Sequence, residues 1–191
     1  MTHTQLLIQN ILEHPHDFKW QVQGLGMMRL YLSKAVRLHI WDSSLKVPGV
    51  SALHTHPWHM KSTVIFGRYK QHRYSQLEDG VFNKHQEEFN CATIECGENA
   101  CITEPSIKVR LLENPQEVHL PLQSYEQKAD EIHLSTPEDG TVTLVERTFL
   151  EDVDHAKVFW RGNGSWVDAK PRAATCDEIN QVTRRVLETW I

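Results

Sequence analysis

The chain has 191 residues, 20 of them basic and 25 acidic, which gives a formal net charge of −5. This length suits a single domain with one hydrophobic core, and the acidic balance, without a basic block, argues against nucleic acid as a partner. No apolar run approaches the roughly 20 residues that cross a bilayer, and the N-terminus lacks the basic region of a signal peptide, so we expect a cytoplasmic protein without a membrane partner.

The first predicted element is a short helix over residues 2–13. Thr2 and Gln5 fit a capping box at its start, and Pro15 discourages its continuation. Apolar side chains recur at helical spacing along one face. These are Leu7, Ile8, Ile11 and Leu12.

From Met27 the pattern changes to short runs rich in branched and aromatic residues, which are typical of β-strands. Turn residues separate the runs about every 8–12 positions, which favours an antiparallel sandwich or barrel over alternating strands and helices. We predict a loop over residues 42–49 and connections over 77–83 and 161–172. The predicted strands are 27–32, 36–41, 61–66, 68–74, 88–94, 107–112, 117–120, 131–134 and 141–150.

The chain is predicted to end in a second helix, over about residues 176–190. Thr175 and Glu178 form another capping box. Ile179, Val182 and Val186 then follow at helical spacing. The whole pattern predicts one domain over residues 1–191, with a barrel core at 27–150.

The cysteines are expected to be reduced thiols. Cys91, Cys96 and Cys101 follow a C-x4-C-x4-C spacing, whereas zinc sites favour tighter CxxC pairs. A chain of this length does not need disulfides to fold. The spacing therefore indicates neither a structural zinc site nor a disulfide framework.

The sequence HTHPWHMKSTVIFG, residues 54–67, carries the strongest functional signal. In an extended chain His54 and His56 point to the same side. Neutral imidazoles bind zinc, iron, nickel and copper, so two converging histidines provide half of a metal site without choosing the metal. His59 is a candidate fourth ligand or general base, and a supporting or surface role is the alternative.

Other polar side chains are candidates for a pocket. His39, His72 and His119 lie in predicted strands, where each either faces a pocket or serves as a hydrogen-bonded structural histidine. Guanidinium groups match carboxylate geometry. Candidates to bind a substrate carboxylate, each with a cross-strand pair or solvent exposure as the alternative, are Arg68, Tyr69, His72 and Arg147.

The histidine segment resembles the first motif of the cupin superfamily, G(x)5HxH(x)3–4E(x)6G. His54 and His56 take the paired histidines, Gly67 takes the closing glycine, and Gly49 lies one residue from the place of the opening glycine. Met60 stands where the motif has a glutamate ligand. The resemblance covers roughly residues 36–150 and implies a cupin-type antiparallel β-barrel, the jelly roll.

A second cupin motif, PxGxxH, is similar to the segment that ends at His133. Asp130 takes the place of its glycine and Lys128 that of its proline. The resemblance makes His133 the third metal ligand. A three-histidine set is similar to that of the thiol dioxygenases related to cysteine dioxygenase, which implies Fe(II), with zinc or nickel as alternatives. Those enzymes also have a histidine and a tyrosine on the strand after the third ligand. The corresponding positions here are near Val145 and Arg147, so this chain lacks that pair.

These patterns lead to three hypotheses. The first is a mononuclear iron oxidoreductase or dioxygenase that acts on a small molecule, with His54, His56 and His133 as ligands and with His59, His72 and Arg147 as catalytic candidates. The second is a non-catalytic cupin that binds a small molecule or a protein. The third is a metal-independent sugar epimerase or isomerase. The resemblance also implies a homodimer.

Overall fold

A computed structural model of the chain describes residues 1–50, 52–78, 81, 83–95, 106–151, 153–162 and 170–191. The fold is mainly β, with a closed antiparallel barrel flanked by two helices. This confirms the predicted fold class. No helix within the described ranges is long and apolar enough to cross a membrane.

The two helices are α1, His3–Glu13, and α2, Cys176–Trp190. Both predicted capping boxes are present, because Thr2 accepts from the backbone N–H of Gln5 and Thr175 accepts from that of Glu178. The helices contact each other, and their apolar sides share one core with a sheet. A short 3₁₀ turn, Pro15–Asp17, follows α1.

The described residues form fourteen strands. In chain order they are β1 Trp20–Gln23, β2 Leu25–Tyr31, β3 Val36–Lys46, β4 Leu53–His54, β5 Trp58–Phe66, β6 Tyr69–Gln76, β7 Gln86–Glu95, β8 Ile107–Glu113, β9 Glu117–His119, β10 Ser124–Gln127, β11 Ile132–Ser135, β12 Thr141–Phe149, β13 His155–Trp160 and β14 Arg172–Ala173.

The strands make two seven-stranded sheets. Sheet A has the order β10-β5-β12-β3-β2-β1-β14, and sheet B has the order β11-β4-β13-β7-β8-β6-β9. Strand β11 pairs with both β4 and β6. Sheet B therefore closes on itself as a six-stranded antiparallel barrel.

Sheet A has two different faces, because successive side chains of a strand point to opposite sides. The helix face packs under α1 and α2 and is apolar. It includes Met28, Leu38 and Val142, all with no exposed surface. The opposite face, called here the cavity face, carries Arg37 and Thr143 among its buried side chains.

Gly67 forms the corner between β5 of sheet A and β6 of sheet B. Its φ is +85°, which favours glycine. A Cβ added there would lie 2.7 Å from the Cα of Thr141. The sequence predicts a sharp bend at this glycine. The positive φ and the close approach of Thr141 both explain why glycine is needed there.

All nine predicted strands are present, but two boundaries were wrong. The predicted loop over 42–49 is strand as far as Lys46 in β3. The barrel core was placed at 27–150, yet β1, β13 and β14 lie outside that range. The short strands β4 and β10 were missed as well. Residues 79–80, 82 and 163–169, within two predicted connections, are outside the described residues.

Of the cysteines that the structure describes, Cys91 is buried and Cys176 is exposed. Cys96 and Cys101, the rest of the C-x4-C-x4-C pattern, lie outside the described residues.

Candidate metal centre

Three histidines from two distant parts of the chain converge on one wall of a cavity between the sheets. One ring nitrogen from each of His54, His56 and His133 lies within 4.8 Å of the corresponding nitrogens of the other two. The Nε2 atoms of His56 and His133 are 3.1 Å apart. Two ligands of a tetrahedral zinc ion are about 3.4 Å apart, given bonds of about 2.1 Å. The trio therefore fits a small metal ion.

Strand alternation brings the pair together, as the sequence predicted. Thr55, between the two histidines, is buried and bonded to β13. Its backbone N–H donates to the carbonyl of Lys157 at 2.9 Å, and its Oγ1 accepts from the N–H of Lys157 at 2.8 Å. These two bonds to β13 fix the backbone so that His54 and His56 share a side.

The tautomer of His54 is set by a backbone carbonyl. Its Nδ1 lies 2.8 Å from the oxygen of Ala52, a distance at which Nδ1–H donates. Nε2 is then left without a proton and free to bind a metal. This carbonyl-oriented arrangement is the usual one for metal-binding histidines. The Nδ1 of His133 has no hydrogen-bond partner among the described residues.

All three imidazoles are held in the neutral form that metals require. Burial lowers the pKa of His54, and burial lowers those of His56 and His133 well below the usual value of 6.5. The charge that His54 would carry further disfavours protonation of His56 and His133, and the charge of His133 does the same to His56. At neutral pH each of the three imidazoles therefore has an unprotonated ring nitrogen that can bind a metal ion.

The turn before His133 has the backbone shape that its motif predicts. Asp130, at the place of the motif's glycine, has a φ of +64°, in the region that glycine adopts most easily. Its N–H donates to the carbonyl of His56 at 3.2 Å. The N–H of Ala129 donates to the Nδ1 of His59 at 2.8 Å. His59 thus fastens the turn that leads to the third histidine.

The three histidines line a cavity of about 770 Å³ between the two sheets, a volume in the range of small-molecule sites. Trp58 stacks on His56 with ring centroids 5.0 Å apart. Met60, at the motif's glutamate position, also lines the cavity and packs with Trp41 and Val145. No aspartate or glutamate lines the cavity among the described residues.

The other catalytic candidates fall in different places. Arg147 lines the cavity, and it donates to the carbonyl of Lys34. His59 and His72 are absent from the described lining. His72 lies instead at 2.6 Å from Glu113 and 3.1 Å from the hydroxyl of Thr136. The structure does not bring His59 or His72 to the three histidines.

The remaining pocket candidates also separate. His39 and Tyr69 line the cavity. Arg68 is outside it and lies 3.6 Å from Glu138. His119 stacks on Tyr125 with ring centroids 4.5 Å apart and is not among the described lining residues.

Sequence reasoning missed two arginines of the cavity, Arg29 and Arg37. A signal for them exists, because in MMRLYL and VRLHIW the polar residues alternate with apolar ones. Period-two alternation with arginine on one face predicts a polar strand face. Such a face is as typical of a solvated sheet as of a cavity, so the pattern by itself does not reveal a pocket.

The chain matches no protein-family model, and no curated protein is detectably similar to it. The fold and the histidine trio therefore rest on the structure. They are compatible with a cupin barrel that binds a divalent metal.

Proposed function

We propose that this protein is a mononuclear metal-dependent oxidoreductase that acts on a small molecule, with Fe(II) held by His54, His56 and His133. The observation that carries the proposal is the convergence of three neutral imidazoles on one wall of a cavity large enough for a substrate. Imidazole nitrogens suit iron, and equally zinc or nickel. A bound ferrous ion would supply redox chemistry and open coordination positions for substrate and dioxygen.

The ligand set favours an anionic substrate. Three neutral imidazoles leave the two positive charges of a divalent ion uncompensated, since the described cavity lining contains no carboxylate. A negatively charged group of the substrate would complete the charge balance. This follows from Met60 standing where a glutamate ligand would neutralise one charge.

Aromatic side chains line the cavity beside the centre. Trp58 covers His56, and the indole N–H of Trp41 donates to the hydroxyl of Thr143 at 3.2 Å. Tyr69 is hydrogen-bonded to Ser135, two residues after His133. Burial raises the pKa of Tyr69, so its hydroxyl keeps its proton at neutral pH. Tyr69 is therefore the proton-bearing group that we place beside the substrate.

Acid–base isomerisation is less well supported. It needs a histidine–carboxylate pair that faces the substrate. The His72–Glu113 pair is not part of the described cavity lining, and His39 has no carboxylate among its described contacts. The site thus favours metal chemistry over the sugar epimerase or isomerase hypothesis.

The first test is metal analysis of protein purified without chelator. We expect close to one equivalent of metal per chain, and loss of nearly all of it in the His54→Ala/His56→Ala double variant and in His133→Ala. His85→Ala, which alters an exposed histidine, serves as the matched control and should retain the metal. Metal that is well below one equivalent and persists in the double variant would refute the metal centre.

A second candidate is a non-catalytic protein that binds a small molecule, and the methionine at position 60 favours it. The two functions differ in whether the metal has an open position. Nitric oxide, a stand-in for dioxygen, should give an iron–nitrosyl signal by electron paramagnetic resonance on protein loaded with Fe(II) under anaerobic conditions. Iron that binds without this signal, and without dioxygen uptake with thiols or β-diketones, would favour the binding module.

Two further expectations stay predictions. The homodimer implied by the cupin resemblance can be measured by size-exclusion chromatography with light scattering. The cytoplasmic location can be measured by cell fractionation.

A further inference from the structure

A cluster of three buried arginines, Arg29, Arg37 and Arg147, lies on the cavity face of sheet A. Their exposed fractions are only 8%, 9% and 8%. They come from the neighbouring strands β2, β3 and β12, and all three line the cavity that holds the histidines. Arginine is rarely buried unless it is paired with a negative charge.

Neutral groups accept the hydrogen bonds of this arginine cluster. Arg29 donates to the side-chain oxygens of Gln21 and Gln23 at 3.1–3.2 Å. Arg147 donates to the carbonyl of Lys34. The buried Nε atoms of Arg37 and Arg147 have no hydrogen-bond partner among the described residues.

Several arginines elsewhere in the protein are paired with carboxylates. Arg73 lies 3.1 Å from both Glu117 and Glu131, and Arg185 lies 2.9 Å from Asp42. No ion pair involving the arginine cluster occurs within the described part of the chain. The positive charge in the cavity is therefore uncompensated where charge is most costly to bury.

The three guanidinium groups lie around one aromatic ring, that of Tyr31. Their central carbons lie 5.3, 4.5 and 5.6 Å from the centre of the Tyr31 ring, for Arg29, Arg37 and Arg147 in turn. Burial, together with the neighbouring charge of Arg29, lowers the pKa of Arg37 to about 9. The group is still cationic at neutral pH. Three like charges that repel in a cavity form a binding site for an anion.

The arginine cluster adjoins the histidines through one indole. Trp58 stacks on His56, and the guanidinium carbons of Arg37 and Arg147 lie 5.4 and 5.2 Å from the centre of its ring. A small molecule that contacts both sides of Trp58 would reach the arginines and the histidines together.

We infer that Arg29, Arg37 and Arg147 bind a doubly charged oxyanion group of the substrate, a phosphate monoester, phosphonate or dicarboxylate. The inference rests on the proposed function in taking this cavity as the substrate site. Three guanidinium groups without a carboxylate exceed what a single monocarboxylate would neutralise. Planar guanidinium forks are also the groups best suited to such oxyanions.

The test is isothermal titration of metal-free protein at about pH 8, where a phosphate monoester is dianionic. The probes are methyl phosphate, malonate and acetate. Saturable binding of methyl phosphate or malonate, with acetate at least about 10-fold weaker, is the expected result. Tighter binding of methyl phosphate would identify the oxyanion as a phosphate or phosphonate, and tighter binding of malonate would identify it as a dicarboxylate. Acetate that binds as tightly as both, or no binding of either dianion, would overturn the inference.

Single arginine variants locate the binding. Arg37→Gln and Arg147→Gln should each weaken dianion binding about 10-fold or more, because each removes charge-assisted hydrogen bonds. Arg68→Gln is the matched control, since Arg68 is outside the cavity and exposed, and its affinity should be unchanged. If Arg37→Gln and Arg147→Gln bind the dianion as tightly as Arg68→Gln does, the assignment to these arginines is overturned.

Thermal unfolding guards against a variant that merely fails to fold. Arg37→Met keeps much of the apolar stem and removes a like charge, so it should unfold at a higher temperature than the wild type and lose its stabilisation by methyl phosphate. A stabilisation by methyl phosphate that matches the wild type would contradict the inference.

The two proposals can fail separately. The His54→Ala/His56→Ala variant should still bind the dianion, because the arginines need no metal. Dianion binding without any metal binding in the wild type would refute the metal centre only. Metal binding without dianion binding would refute the arginine site only.

Discussion

On the helix face of sheet A, Leu38 and Val142 are fully buried beneath the two helices, whereas on the cavity face Arg37 and His39 line an open space. These side chains alternate along the same two paired strands, β3 and β12. The backbone hydrogen bonds are shared, so the difference arises from the side chains and from what covers them. The helix face stabilises the fold by packing. The cavity face carries polar side chains without charged partners, and a ligand can bind to these side chains.

The comparison predicts first that the buried histidines lining the cavity make stability depend on pH. Burial lowers the pKa values of His39, His56 and His133 well below 6.5. Below about pH 6.5 the unfolded chain therefore takes up protons that the folded chain excludes, and stability present above that pH is lost as the pH falls. Each of these histidines accounts for up to about 1.4 kcal/mol per pH unit.

We expect the metal-free protein to lose about 4 kcal/mol of unfolding free energy between about pH 7.5 and 5.5, about 1.4 kcal/mol for each of the three histidines. Urea denaturation at a series of pH values measures this loss. His39→Gln should reduce this loss by roughly a third, while His85→Gln, at an exposed position, should leave it unchanged. If His39→Gln and the wild type lose the same free energy, the cavity face is not the source.

Two valines of β12 compare the faces directly. Val142 is completely buried on the helix face, and Val145 is on the cavity face. Val142→Ala should cost about 2–3 kcal/mol, because it removes two methyl groups and leaves a void in a packed core. Val145→Ala should cost about 1 kcal/mol, since it enlarges an existing cavity.

Chemical denaturation of the two valine variants measures these costs, and each variant is the control for the other. Equal losses, or a larger loss at position 145, would show that the cavity face is packed as tightly as the helix face.

The smallest expected effect concerns the turn that carries the chain from sheet A to His133. Asp130 has a φ of +64° and is exposed. Asp130→Ala should cost about 1 kcal/mol, because alanine lacks the tolerance of aspartate or glycine for this conformation. Asp130→Gly should stay within about 0.5 kcal/mol of the wild type. Thermal unfolding of both variants checks the difference, and a glycine variant less stable than the alanine variant would argue against this backbone role.

The sequence predicted the elements with strong local signals. The capping boxes at Thr2 and Thr175 start their helices as expected, and alternation along β2, β3 and β12 marks them as strands. Strands β4 and β14 have two residues each, too few to show a period. The predicted loop over 42–49 failed because β3 continues to Lys46 through polar residues that composition assigns to a loop.

The candidate site was predicted in part. The HxH spacing and the resemblance of the segment at His133 to a cupin motif named three side chains that the structure places together. His59 and His72 were candidates because they lie near the His54–His56 pair in the sequence. In the structure His59 contacts the turn before His133, and His72 lies beside Glu113. Proximity along the chain does not determine which side of a strand meets a cavity.

By itself the sequence determined the nine strands that it predicted, the two capped helices and the pairing of His54 with His56, because each depends on the spacing of neighbouring residues. Only the tertiary structure decided that His133 meets that pair and that three arginines from separate strands share one cavity without a carboxylate. These features depend on strand pairing across distant parts of the chain, such as that of His133 with His54. Local spacing carries no information about which strands become neighbours or about which charges are left without a partner.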